Sequence, residues 1–160
     1  MTRCSFFLLC AAGVLVSLVP GCGGESADVP DLAPVSGTVT LDGEPAAGVA
    51  VFFSPRSNGE DPKERTSGTG ATGATDSNGK YTLKHRSGEL GIEPGVYNVT
   101  FSKVAMPDGS PIPEGKLLGE GGSRETLPKR YTVVDETARA KNVATVKKEG
   151  GTFDFDLKSK

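Results

Sequence analysis

Alternation of apolar and polar residues is the strongest signal in this chain, and it marks out short strands. Gly73-Ala-Thr-Asp-Ser-Asn-Gly-Lys-Tyr-Thr-Leu83 reads as a turn followed by a strand, and Glu93-Pro-Gly-Val-Tyr-Asn-Val-Thr-Phe-Ser102 as a second turn followed by a longer strand. Tyr81 and Leu83 alternate with Thr82 and Lys84, while Tyr97, Val99 and Phe101 alternate with Asn98, Thr100 and Ser102. A period of two gives each strand one apolar face and one wet face. Asp76-Ser-Asn-Gly79 is a tight-turn sequence, because Asn and Gly accept φ > 0 at low cost and an Asp side chain bonds back to nearby amides.

The same alternation recurs on either side. Val35, Val39 and Leu41 share one face of a first strand, and Asp42-Gly-Glu-Pro45 turns it into Gly48–Ser54, whose inward set is Val49, Val51 and Phe53. This pair reads as a hairpin. Pro55 to Thr75 is a long loop rich in Gly, Ser, Thr and charge, with a short strand expected near Ala71. Val104 to Lys129 is a second long insertion, broken by Pro107, Pro111, Pro113 and Pro128, and Leu117-Leu118 is its one adjacent pair of large aliphatics, expected to dock it on the domain edge. Loops of this length inside a domain usually carry function or lack order. Tyr131–Val134 reads as extended, and Asn142–Val146 with Thr152–Leu157 reads as a closing hairpin in which Phe153, Phe155 and Leu157 face inward and Asp154 and Asp156 face water. About seven short strands with Gly/Pro turns and no helical period predict a single antiparallel β-sandwich over residues 35–160.

The N-terminus has a different pattern. Arg3 precedes an apolar run from Phe6 to Val19 that Pro20-Gly21 ends just before Cys22. That run falls short of the ~20 residues that span a bilayer, which favours a processed export signal over a transmembrane anchor. Val19-Pro-Gly-Cys22 resembles the lipobox of bacterial lipoproteins. The resemblance implies a signal over residues 1–21, a diacylglyceryl thioether on Cys22 and acylation of the new amine, by palmitate or a similar chain. At ~0.8 kcal/mol per buried CH₂, two or three such chains hold a protein on a membrane permanently. Residues 22–34 have no apolar period and read as a tether that spans about 20 Å as a flexible coil. Gly23 after the lipidated Cys, in place of Asp, implies sorting to the outer membrane rather than retention at the inner one.

Composition narrows the function classes. Cys4 and Cys10 fall within the signal, so the processed chain keeps only Cys22, which excludes an intrachain disulfide framework and a cysteine metal site. The formal net charge of the whole chain is −2, and no basic tract appears, which argues against nucleic acid. His85 is the only histidine and shares the phase of Tyr81 and Leu83, so a strand-end structural role outweighs catalysis; no motif pairs it with a nucleophile or a carboxylate. Asp76 and Asn78 resemble the start of a calcium loop, but the third acidic position and the distant Glu are missing, and a plain turn is the better reading. The chain has no Trp, which leaves Phe52 and Tyr131 as the aromatic candidates for stacking on a sugar.

Val35-Ser-Gly-Thr-Val, Gly48-Val-Ala-Val-Phe-Phe, Thr75-Asp-Ser-Asn-Gly-Lys-Tyr and Pro94-Gly-Val-Tyr-Asn-Val-Thr, in that order, are together similar to the carboxypeptidase regulatory-like family of transthyretin-like, or prealbumin-like, sandwiches. Leu127-Pro-Lys-Arg-Tyr131 is similar to the segment before the last strands in small lipoproteins of this kind. The resemblance covers roughly Val35 to Leu157 and implies the fold rather than a role. The transthyretin-like hydrolases use several histidines, which this chain lacks. The reading is thus a non-catalytic, lipid-anchored envelope protein with no implied cofactor. Its membrane partner is engaged through the lipid, and its long loops, marked by Lys63, Lys116, Leu117, Leu118 and Lys129, meet an envelope protein. The alternative is a glycan- or small-ligand-binding domain, with an unrecognised hydrolase further behind.

Overall fold

The computed structural model describes residues 31–56, 68–113, 115, 117, 119–133 and 142–160. The first strand, β1 (Val35–Leu41), lies at the middle of one sheet. Asp42 and Gly43 follow it with φ of 55° and 91°, the two left-handed residues of the tightest hairpin turn. They fold β2 (Glu44–Pro45) straight back on β1. The hairpin partner of β1 is therefore this two-residue strand. β3 (Ala50–Pro55), expected to complete the hairpin, crosses to the opposite sheet through Ala46–Gly48.

That second sheet runs β10 (Val143–Val146), β7 (Gly95–Ser102), β3, β4 (Ala71–Ala74), β6 (Lys84–His85). The β4 strand forms where a short strand was expected. β5 (Lys80–Thr82) crosses back to pair with β1, and its Tyr81 lies opposite Gly37. Between the two sheets Val35, Val39, Val49, Val51, Phe53, Tyr81, Leu83, Tyr97, Val99 and Phe101 are buried, as their alternation requires. Phe53 meets Tyr97 and Phe153, with ring centroids 6.1 and 6.0 Å apart, and Phe101 meets Phe155 edge-on at 5.0 Å. The protein is an all-β sandwich.

Three expectations need correction. The last two strands, β11 (Gly151–Thr152) and β12 (Phe155–Leu157), do not form a hairpin with β10. Only Lys147 and Gly150 bridge there, and the chain then runs parallel to β1. The open edge of β1 carries unpaired amides and carbonyls, and a last strand that satisfies them while burying Leu157 outweighs a local hairpin. Tyr131 is helical: α1 (Lys129–Thr132) is a single turn started by Pro128, whose carbonyl accepts from Tyr131 N at 2.9 Å. Pro128 stands at the N-cap, its φ of −57° fixed by the ring and its ψ of 144° extended, and the turn that follows overrides the strand-like Tyr-Thr-Val sequence; Val134 lies outside the described residues. Asn98, on the face read as wet, is only 6 % exposed, and its Oδ1 has no hydrogen-bond partner among the described residues.

The insertion after β7 begins with a small separate sheet, β8 (Val104–Ala105) against β9 (Arg124–Glu125). Register fixes where both long loops leave the sandwich. Pro55 pairs with Tyr97 and Ala50 with Ser102, so the segment after Pro55 and the insertion after Ser102 depart from opposite ends of the same strand pair, about 17 Å apart. The chain enters at the Pro55 end, where Ala33 and Ile92 exchange two backbone bonds of 2.8 and 3.0 Å and Gly151 N donates to Pro34 O.

Candidate functional site

At the entry end, Thr69 is held from two sides. Its N–H donates to Glu93 Oε2 at 2.8 Å, and its hydroxyl meets His85 Nε2. Tyr97 adds to this anchor by donating its hydroxyl to Glu93 O at 2.6 Å; burial, with the Glu93 charge behind it, pushes the Tyr97 phenol up to about 12. His85 is 6 % exposed, at a strand end as the sequence suggested. Ser87 N donates to its Nδ1 at 3.2 Å, and Ser87 Oγ lies 2.9 Å from the same nitrogen. These contacts hold the ring between Thr69 and Ser87 at the end of the strand.

Asp76 and Asn78 form a turn whose oxygens are spent locally. Asp76 Oδ1 accepts from Asn78 N at 2.8 Å and from Lys80 N at 2.9 Å, and Gly79 closes the turn with φ of 72°. No group of three or more His, Cys, Asp or Glu side chains gathers among the described residues. Tyr131, one of the two aromatic candidates, is half-buried in a stack. Its ring meets Phe101 at 6.4 Å and lies 4.8 Å under the Arg130 guanidinium, and its hydroxyl accepts from Lys158 N at 3.1 Å. Phe52 stays on the outer face, 37 % exposed and paired across the sheet with Thr72 and Thr100.

The end opposite the entry point carries the richest local chemistry. Glu125 ties the root of the insertion together: Oε2 accepts from Ser102 Oγ at 2.6 Å, and Oε1 from the amides of Lys103 at 2.9 Å, Thr126 at 3.0 Å and Leu127 at 2.8 Å. Burial alone would raise this carboxyl, but the hydrogen bonds outweigh it and hold the group below the usual range. Beside this knot a cleft of about 250 Å³, lined by Ala47, Gly48, Lys103, Val104, Ala105, Gly109 and Pro111, opens between the sandwich and the insertion. Arg130 adds a clamp on the C-terminal segment, donating through Nη2 to the carbonyls of Lys158 at 2.7 Å and Lys160 at 2.6 Å.

Of the loop residues singled out from sequence, Lys129 is exposed in α1 and Leu117 is 75 % exposed, so Leu117 does not dock the insertion. Reach explains this: the root is held by the Glu125 bonds and β8–β9, which leaves no need for an apolar anchor at the tip. Cys22, Lys63, Lys116 and Leu118 lie outside the described residues, as do the expected signal over residues 1–21 and most of the expected tether. Sequence reasoning missed Glu125, Lys103 and Arg130, none of which stands in a recognisable spacing. No family model, no curated protein and no solved structure matches the chain. The resemblance to carboxypeptidase regulatory-like domains therefore rests on the turn and strand motifs alone.

Proposed function

We propose that this is a non-catalytic, lipid-anchored envelope protein whose sandwich holds the Val104–Lys129 insertion out to a protein partner. The observation that carries the reading is the register of β3 and β7, which sets that insertion at the end opposite the point where the chain enters from its tether. A domain held at one end and braced at the other by the Glu125 bonds suits the presentation of a surface away from a membrane. The segment after Pro55 leaves the strand pair at the other end, so the reading assigns the presented surface to the insertion. The setting of His85, buried and held between Thr69 and Ser87, supports the non-catalytic part.

Photo-crosslinking residues at Leu117 and Lys129, compared in cells with the same residues at Arg86 and Lys148 of the entry end, test this reading. A discrete protein adduct from the insertion and none from the entry end is the expected result. Adducts only from the entry end, or none from either, would overturn it. A glycan-binding reading has one observation behind it, the exposed Phe52 ring flanked by two threonines, and Phe52→Ala in a glycan-array measurement decides it.

A further inference from the structure

We infer that the outer face of the β1 sheet pairs two copies of this chain, face to face, about a two-fold axis parallel to β1. Alternation puts Ser36, Thr38 and Thr40 outward along this central strand, because Val35 and Val39 are buried. On one side β5 turns Lys80 and Thr82 out, with Tyr81 buried between them. On the other side the last strands expose Thr152, Asp154 and Asp156. Register sets a row across the face: Lys80 pairs with Thr38, and Thr38 N donates to Asp154 Oδ1 at 2.7 Å. A depression of about 290 Å³ lies on the Lys80 side and one of about 350 Å³ on the Asp154 side, and Thr38 lines both.

The charges choose the occupant. Neither Lys80 nor Asp154 forms an ion pair among the described residues, whereas Asp156 is spent on Lys158 Nζ at 2.7 Å and on the Thr40 hydroxyl at 2.9 Å. A cation and an anion thus stand on opposite sides of a spine of hydroxyls. Tyr81 is buried and Phe155 stacks on Phe101, so these described residues turn out no ring for a sugar and no large aliphatic for an apolar segment. A half-turn about an axis along β1 exchanges the two sides, and Lys80 of each copy then meets Asp154 of the other. A half-turn about an axis across the strands stacks Lys80 on Lys80 and is repelled. The favoured axis keeps the strands parallel and brings both entry ends to one side, as two chains held in one membrane by the proposed anchor require. The charge match itself holds without the anchor. Three strands of this length make a contact about 14 Å by 23 Å, roughly 300 Å² a copy where a standard interface buries ~800, so the pair is reversible.

The test is thiol crosslinking of the full chain in cells, with a short bifunctional reagent and the conjugate identified by mass. Ser36→Cys, an exposed position on the axis, is expected to give a dimer in excess of the unsubstituted chain and of Thr72→Cys, which is exposed on the outer face of the other sheet. Adding Lys80→Asp turns both attractions into repulsions and is expected to lower the dimer at least about fivefold. Thr82 and Thr152 flank Ser36 in register, so Thr82→Lys with Thr152→Glu adds a second reciprocal pair and is expected to raise the dimer without touching a buried group. No dimer, an equal yield from Thr72→Cys, a yield indifferent to Lys80→Asp or to the added pair, or a conjugate with a different protein would each overturn the inference. Adducts from Leu117 and Lys129 test the presenting role separately, and that role stands or falls without this pairing.

Discussion

A methyl group added at Gly37 has nowhere to go. Built on the existing backbone, the Cβ of Gly37→Ala falls 1.8 Å from the Phe153 carbonyl oxygen, 2.7 Å from its carbon and 2.9 Å from the Tyr81 ring. Two of these neighbours are backbone, so no rotamer change relieves the contact. Ordinary carbon–oxygen contacts lie at about 3.3–3.6 Å, and β1 and the last strand would have to part by more than 1 Å. That movement breaks the bond of Tyr81 Oη to Phe153 O at 2.7 Å and strains the bond of Thr38 N to Asp154 Oδ1, also 2.7 Å. A neutral hydrogen bond contributes about 1 kcal/mol and one to a carboxylate about 2, offset by roughly 0.5 kcal/mol from the stiffer unfolded chain. The net loss is about 2–3 kcal/mol, a large part of a typical ~5–15, or about 10 °C in Tm. Urea unfolding of the full chain in detergent, followed by circular dichroism, measures it against Gly43→Ala, where the Cβ meets open space and only the left-handed φ costs about 1 kcal/mol. A Gly37→Ala midpoint equal to that of the wild type would show that β1 does not pass this close to Phe153.

Phe101→Ala is expected to cost about 3–5 kcal/mol in the same assay, because the ring is 1 % exposed between the sheets, whereas half-buried Phe155→Ala costs less than half as much; equal losses would contradict the stacking of the two rings. Glu125 has a folded pKa below its ordinary value, so its contribution is present above about pH 4.5 and is lost as pH falls through the lower folded value. Glu125→Gln should therefore flatten the acid limb of the urea midpoint between pH 6 and 3, and an unchanged limb would refute the knot at the insertion root. Asp76→Ala removes two bonds to turn amides and should cost about 1 kcal/mol, with the same melting temperature in calcium and in chelator for the wild type; a calcium-dependent rise lost in the variant would make the turn a metal site.

Side-chain alternation made the faces legible. Val49, Val51 and Phe53, and Tyr97, Val99 and Phe101, point inward as the period of two requires, and Asp42-Gly43 and Asp76–Gly79 turn as their residue types dictate. Partners were not legible, because alternation reports which face is buried and says nothing of which strand lies alongside. The parallel match of β1 with the last strand joins residues 116 positions apart, a distance at which no local pattern speaks. Tyr131 misled through its β-branched neighbours, where Pro128 decided the local geometry. The opposite departure of the two long loops follows from pairings such as Pro55 with Tyr97, which only the assembled sheet reveals. The cleft was likewise hidden, since Ala47, Lys103 and Gly109 come together only once the insertion folds back on its root.

Anchoring at Cys22 underlies the proposed function, since on that reading it would make one end of the sandwich face a membrane and the other a partner. Metabolic labelling with an alkyne-tagged palmitate, read after click chemistry on the purified protein, tests it directly. Label on the wild-type chain in the membrane fraction, absent from Cys22→Ser, is the expected result. Label that persists in Cys22→Ser, or an unlabelled wild type recovered in the soluble fraction, would contradict it.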